Sequence, residues 1–227
     1  MEKVVVSVGG SVLVPGEDDA RYLGDLAGVL RETSRVVRLF GVTGGGRIAR
    51  YYIETGRQVG LPERTLDELG IGATRLNARL LAAALGGIAN REPATSYAEA
   101  SRLSRRQRVV LMGGTRPGHT TDRVSVALAR FVRASRIVNA TSVDGVYSAD
   151  PRKDPAATRL SHVRFGELVS ISGEGRWSAG PTAVFDPVAA RSLAKARIPM
   201  AVVHGRDLDA LRDAILGRPF RGTSVGD

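Results

Sequence analysis

The amino-acid sequence predicts an α/β fold, a parallel sheet covered on both faces by helices. Short apolar runs alternate with segments of helical periodicity along the whole chain, and glycine clusters follow three of the strongest runs. In sheets of this kind ligands bind outside the carboxyl ends of the strands, so the glycines also locate the chemistry.

Val4 to Val8 reads as a buried strand, a short valine-rich run ending in Gly9 and Gly10. Ala20, Leu23, Ala27 and Leu30 then recur at helical spacing. Val36 to Val42 is the next strand and leads into Gly44, Gly45 and Gly46, after which Arg47 to Val59 reads as helix. Leu69, Ala73, Leu76, Leu80 and Ala84 form a long apolar stripe, expected to be core or subunit interface. Val109 to Met112, Ile137 to Ala140 and Met200 to Val203 are further strands, with Asp122 to Phe131, Pro187 to Ala196 and Asp207 to Leu216 as helices. Asp186 followed by Pro187 is a helix start, an N-cap and a first-turn proline. No linker, repeat or shift in charge density divides the 227 residues, so a single domain spanning 1–227 is expected.

Composition narrows the function. No apolar run approaches the roughly 20 residues that cross a bilayer. The start MEKVVVSVGG lacks a basic leader followed by an apolar stretch, and a soluble cytoplasmic protein is expected. Without cysteine there is no disulfide, thiolate nucleophile or cysteine-held metal, and His119, His162 and His204 make no zinc spacing. The net charge of +10 suits an anionic partner. Its arginines are spread over nearly every segment, and Arg102, Arg105, Arg106 and Arg108 read as a solvated helix end, so neither nucleic acid nor membrane is the expected partner.

The glycines point to phosphate. Gly9–Gly10, Gly44–Gly46 and Gly113–Gly114 each let backbone N–H groups approach an anion with no Cβ in the way. MGGTRPGHTTD, Met112 to Asp122, runs into a helix, so N–H groups, hydroxyls and the positive helix end converge. Asp122 at that helix head has two readings, an N-cap and a group near metal or phosphate. VDGVYSADPRKDP then breaks the strand Arg136 to Thr141 into turn residues carrying Tyr147 and Asp150, as a nucleotide base and sugar require. GxxxxGK[ST], a dinucleotide GxGxxG and the protein-kinase signatures are all absent.

Taken together, VGGSVL, TGGGRIARYYI, LDELGIGATRLNARLL, MGGTRPGHTTD, VDGVYSADPRKDP and AGPTAVFDPVAARSLA resemble the amino acid kinase superfamily, and within it the archaeal-type uridylate (UMP) kinases, from end to end. The resemblance implies a three-layer α/β/α sandwich with a mostly parallel open sheet. It implies transfer of the γ-phosphate of ATP to UMP, with Mg²⁺ arriving mainly on the nucleotide, in a homohexamer built from dimers. By motif, Gly9, Gly10 and Ser11 lie against the transferring phosphate, and Gly46 and Arg50 face ATP. Gly45 faces UMP, Asp67 binds its ribose, and Thr115, Arg116, Pro117, Gly118, His119, Thr120 and Thr121 enclose its phosphate and uracil. Thr141, Ser142, Tyr147 and Asp150 match the ATP pocket. Gly10, Arg50 and Asp122 are the candidates for catalysis, and no residue is expected to hold a metal on its own.

Two positions depart from the family pattern. Ser7 stands where many relatives carry a lysine that stabilises the moving phosphoryl group, and Ser142 stands where relatives often have Asn. Arg47 or Arg50 must then supply the fixed positive charge, and Arg50 is favoured. No general base is required, because the attacking phosphate oxygen of UMP is already ionised near neutral pH. His119 reads as structural or solvent-facing sooner than as a proton carrier; Tyr147 as core-packed or touching adenine; Trp177 as packing at a loop or subunit contact. Two other readings stay open: a kinase for another small acid or phosphate, and a nucleotide-binding regulator or nucleic-acid binder without turnover. Isopentenyl phosphate kinases carry a His in the second glycine loop, where this chain has GGGRIAR.

Overall fold

Branched apolar residues concentrate where a strand is covered on both faces, and the centre of the sheet is built from them. β1 (Lys3–Val8) lies between β2 (Arg38–Thr43) and β4 (Arg136–Thr141), parallel to both. The computed structural model, which describes residues 1–149, 156–173 and 185–227, adds β3 (Val109–Met112) outside β2 and β8 (Met200–His204) outside β4, again parallel. β9 (Thr223–Val225) runs antiparallel to β8 and parallel to the edge strand β7 (His162–Val163). The seven strands take the order β3-β2-β1-β4-β8-β9-β7, while β5 (Val146–Tyr147) and β6 (Arg159–Leu160) form a separate antiparallel pair.

Alternation along β1 splits the core into two layers. Val4, Val6 and Val8 pack under α1 (Gly10–Leu13), α2 (Asp19–Thr33), α4 (Glu63–Leu85) and α9 (Leu208–Leu216). Val5 points the other way, toward α5 (Tyr97–Leu103), α6 (Thr121–Val132), α7 (Phe165–Ser172) and α8 (Pro187–Ala196). α3 (Gly46–Gln58) packs mainly on α4. Leu81, Leu111 and Leu128 are fully buried; each such side chain contributes about 1.5–3 kcal/mol by leaving water.

The three-layer sandwich and the strands β1, β3, β4 and β8 stand where the sequence pattern puts them. Two expectations are corrected. The second strand begins at Arg38, because the Val36 and Val37 amides still bond back to Thr33 and leave Val36 exposed. The stripe on α4 is split: Ala73 is buried, but Leu76 and Leu80 are 57% and 44% exposed, and the inward face is Leu66, Thr74, Asn77, Ala78, Leu81 and Leu85. Short elements such as α1, α5, α7, β7 and β9 carry too few residues for a period to register. Trp177 lies outside the described residues.

The loops after β1 and β2 meet backbone to backbone. A Cβ on Gly10 would fall onto the Gly46 nitrogen and 2.6 Å from the Gly44 carbonyl, and one on Gly44 would sit 2.5 Å from the Gly10 nitrogen. Gly46, at φ +61°, adds a conformation that L side chains avoid. Gly10→Ala is therefore expected to lower stability by about 1–3 kcal/mol. Gly24→Ala on α2, where the new methyl meets open space, should raise it by about 0.5–1 kcal/mol. Urea denaturation of both variants checks this, and a neutral Gly10→Ala would mean that the two loops part without strain.

Candidate active site

Two buried polar residues on α4 hold the glycine loops in place. Thr43 Oγ1 donates to the Thr74 carbonyl (2.8 Å), and the Gly114 amide donates to Thr74 Oγ1 (2.7 Å). One turn on, Asn77 Nδ2 donates to the Gly44 carbonyl at 2.8 Å and to that of Gly45 at 3.3 Å. Arg75 Nε reaches the Gly114 carbonyl (3.2 Å). One helix thus fixes the ends of β2 and β3 relative to each other. A buried Thr and Asn bonded to loop carbonyls and amides satisfy polar groups that would otherwise be orphaned in the interior. Their spacing on the inward face of LDELGIGATRLNARLL was the available signal.

Beside these loops lies a cavity of about 680 Å³. Gly45, Ala49 and Ile53 form one wall at helical spacing, and Asp67, Ile71 and Thr74 of α4 form the next. Arg116, Gly118, His119, Thr120 and Thr121 close it from the loop before α6, and Pro187, Val188 and Arg191 close it from α8. Of the residues that the resemblance assigns to UMP, Gly45, Asp67, Arg116, Gly118, His119, Thr120 and Thr121 are brought together here, whereas Thr115 and Pro117 share the loop without lining the cavity. Arg123 and Arg191, two cations on this wall, lie beyond the matched loop and were not foreseen.

The loop is pinned at its tip. Gly118, at φ +77°, donates its amide to Asp67 Oδ2 (2.7 Å) and accepts from Arg123 Nη1 (2.9 Å). Arg116 Nε donates to His119 Nε2 at 3.0 Å, which leaves a neutral imidazole with its proton on Nδ1. Burial, followed by the charges of Arg116 and Arg123, holds the His119 pKa below its usual value. Its Nδ1 is shielded from solvent and has no partner among the described residues, an unused donor on the cavity wall.

The N-cap of α6 is Thr120, whose Oγ1 accepts from the Arg123 amide (3.3 Å); the N-cap reading of Asp122 is thereby corrected. Asp122 sits in the first turn and accepts the Asp186 amide on Oδ2 (3.0 Å). Asp186 is buried, caps α8 through the Ala189 amide (2.8 Å), pairs with Arg123 Nε (3.0 Å) and accepts from Thr120 Oγ1 (3.1 Å). Burial pushes the Asp122 carboxyl up to about 6, and the Asp186 charge adds to the rise while the Asp186 amide opposes it. One ion pair therefore links the loop before α6, α6 itself and α8.

At the opposite rim, Gly9 is tied to the end of β4 by its amide bond to the Ala140 carbonyl (2.9 Å), and Ser11 is exposed on α1. Thr141 is half-buried and Ser142 exposed at the end of β4. Tyr147 is half-buried on the small β5–β6 pair, with its hydroxyl donating to Asp144 Oδ1 (2.7 Å), so it is not part of the core. Thr223 Oγ1 accepts the Val146 amide (2.8 Å) and donates to the Leu160 carbonyl (2.5 Å), which fastens that pair to the main sheet. Asp150 lies outside the described residues. Ser7 is buried between Val42 and Asn139 in the register, so the end of β1 carries no cation. The Arg47 guanidinium packs over Gly16, and Arg50 is exposed, turned away from the cavity-lining Ala49 and Ile53. Among the described residues no group of three or more His, Asp or Glu could hold a metal ion.

The sequence pattern of the amino acid kinase family matches residues 2–204. Uridylate kinase from Methanoculleus marisnigri is 44% identical over 99% of this chain and 96% of its own length. That from Halorubrum lacusprofundi is 45% identical over 98% and 92%. The crystal structure of uridylate kinase from Archaeoglobus fulgidus superposes with a TM-score of 0.89 at 38% identity, covering both chains completely. UMP kinase from Bacillus anthracis, at 19% identity, shares the fold with a TM-score of 0.82 over 100% of this chain and 96% of its own.

The raised pKa of Asp122 makes a signed prediction. Between the ordinary 3.8 and about 6 the folded protein holds a proton that the unfolded chain has released, so this group's contribution to stability falls as pH rises through 6. Asp122→Asn keeps an acceptor for the Asp186 amide and cannot ionise. Its stability relative to the parent should grow by about 1–2 kcal/mol between pH 5 and pH 8. Denaturation at the two pH values measures it, and a pH-independent difference would place the carboxylate in water.

Proposed function

The chain belongs to the amino acid kinase family, and from that premise we propose that it is a uridylate kinase, transferring the γ-phosphate of ATP to UMP to give UDP and ADP in pyrimidine nucleotide biosynthesis. The observation that carries this reading is the direct contact of the two glycine loops beside a cavity walled by the TRPGHTTD loop. Phosphoryl transfer asks the protein chiefly to hold two anions in line and to offset the charge on the moving group. Gly10, Ser11 and Gly46 would present backbone amides to that group, where the two glycine loops meet with no room for a Cβ, while Gly9, its amide held by the Ala140 carbonyl, would line the loop.

The acceptor nucleotide would occupy the cavity. Asp67 spends only Oδ2 on Gly118, leaving Oδ1 for a ribose hydroxyl. The unused Nδ1–H of His119 suits a uracil carbonyl. Arg116, Arg123 and Arg191 supply positive charge for the acceptor phosphate, joined by the N-terminus of α6 at Thr120 and Thr121. Thr141, Ser142, Tyr147 and Asp150 would serve the ATP nucleoside, and Arg50 would stand in for the lysine replaced by Ser7. Mg²⁺, arriving mainly on the nucleotide, would neutralise the ATP phosphates.

A homohexamer built from dimers is part of the same reading. Tyr51, Tyr52 and Val59 on the α3 side and Leu76 and Leu80 on α4 are exposed apolar residues, the kind of patch that a second subunit covers.

With ATP and Mg²⁺, turnover is expected with UMP and not with AMP, isopentenyl phosphate or acetylglutamate; failure to phosphorylate UMP in a coupled assay removes the proposal. Arg50→Ala should lower kcat by about 10²-fold, and an unchanged kcat would leave the amide cradle as the sole stabiliser. Leu76→Arg with Leu80→Arg should shift sedimentation toward smaller species, whereas an unaltered assembly would move the interface elsewhere.

A further inference from the structure

The excess positive charge gathers at the end of the molecule opposite the cavity. The parallel register sets Lys3 beside Arg38, and Arg108 stands beside Arg38 at the start of the next strand. Arg35, Arg105 with Arg106, and Arg133 occupy the turns that enter β2, β3 and β4. Neighbouring strands lie about 4.8 Å apart, so cations scattered through the sequence become a row along one sheet edge.

Little opposes this charge. Among the described residues none of these arginines makes an ion pair; Arg108 bonds only the Ser34 carbonyl, and Arg38 Nε is shielded without a partner. The nearby acids are engaged, Glu2 with Arg136 and Glu32 with Arg212. The carboxyl ends of α2, α5 and α6 do point here. At about −0.5 charge each, three helix ends offset only a small part of six guanidinium groups. Charge at helix ends alone does not account for the surface.

We propose that this edge binds single-stranded nucleic acid. Arginine's planar fork matches phosphate oxygens two at a time, and six arginines outnumber the one lysine in the row. Phe131, 53% exposed beside Arg133 with its ring 6.2 Å from that of Tyr97, offers a face on which a base can stack. A membrane would ask for a continuous apolar face, and here Met1, Val36 and Phe131 are single side chains from the stretch before β1, the turn before β2 and the end of α6.

The test is fluorescence anisotropy of a labelled mixed-sequence DNA strand of about 20 nucleotides with the full chain across a salt series. The slope of log affinity against log salt is expected near −3, as for four or five phosphates. Arg35→Ala, Arg105→Ala and Arg106→Ala together should flatten it by about 2 and weaken low-salt binding at least tenfold, with UMP phosphorylation unchanged. Arg21→Ala, Arg57→Ala and Arg64→Ala together, on other surfaces, should leave binding as it was. Absence of binding at low salt, full retention by the first triple variant, or displacement of the strand by UMP would overturn the proposal. Tighter binding to phosphatidylserine vesicles, in competition with the strand, would also overturn it and assign the edge to a membrane.

Discussion

The architecture of the site depends on one steric fact: two loops share a space in which no Cβ fits. Gly10 and Gly44 approach so closely that either substitution would drive a methyl group into the other's backbone. β1 and β2 bring the loops together because the ladder continues past the strand ends, through the Gly44 amide on the Val8 carbonyl (2.8 Å). A close contact of bare backbone, without side chains between the loops, is the consequence. In a water-poor crevice, amides fixed in this way stabilise developing charge without reorganising during the reaction.

Such a contact needs support, since glycine has no side chain with which to hold position. The support comes from one layer out. Asn77 takes the Gly44 carbonyl, Thr74 takes the Gly114 amide, and both belong to a helix that also carries Asp67, which takes the Gly118 amide. Two loops, held at three points, are thus referred to a single rigid body. The Asp186–Arg123 pair does the same from the other side, joining α6 to α8 where burial, and with it the Asp186 charge, raises the pKa of Asp122 to about 6.

Much of this was legible in the amino-acid order. Short valine-rich runs, several of them closed by glycine, read as strands buried on both faces, so β1, β3 and β8 were readable, and the glycine clusters behind three strands marked the edge of the sheet beside which the cavity lies. The cavity-lining residues Arg116 and Gly118 to Thr121 were legible as a group because one loop motif keeps its members adjacent in sequence, and Asp67 through the separate helix motif that carries it. Arg123 and Arg191 escaped for the opposite reason: only the packing of α8 against α6 turns them to the same cavity. The helix cap was assigned two residues late, since Thr120, Thr121 and Asp122 all carry capping oxygens and only the backbone angles choose among them. Leu76 and Leu80 belong to a periodic stripe, and periodicity does not distinguish a face that meets the core from one that the folded chain leaves exposed.

The same distinction governs the charge. Composition counts guanidinium groups, but strand register decides which of them stand together, and Lys3, Arg38 and Arg108 are separated by tens of residues before the sheet aligns them. The two edges of the sheet then divide the work of meeting phosphate between different donors. At the carboxyl edge the donors are mostly backbone amides, which lose no rotamer freedom on binding and fit a reaction that needs fixed geometry. At the amino edge they are long arginines with no ion-pair partner among the described residues, suited to a chain of phosphates whose spacing varies. Ser7, small and buried where the family often has lysine, belongs to the first arrangement. It leaves the crevice to the amides and to whatever cation α3 supplies.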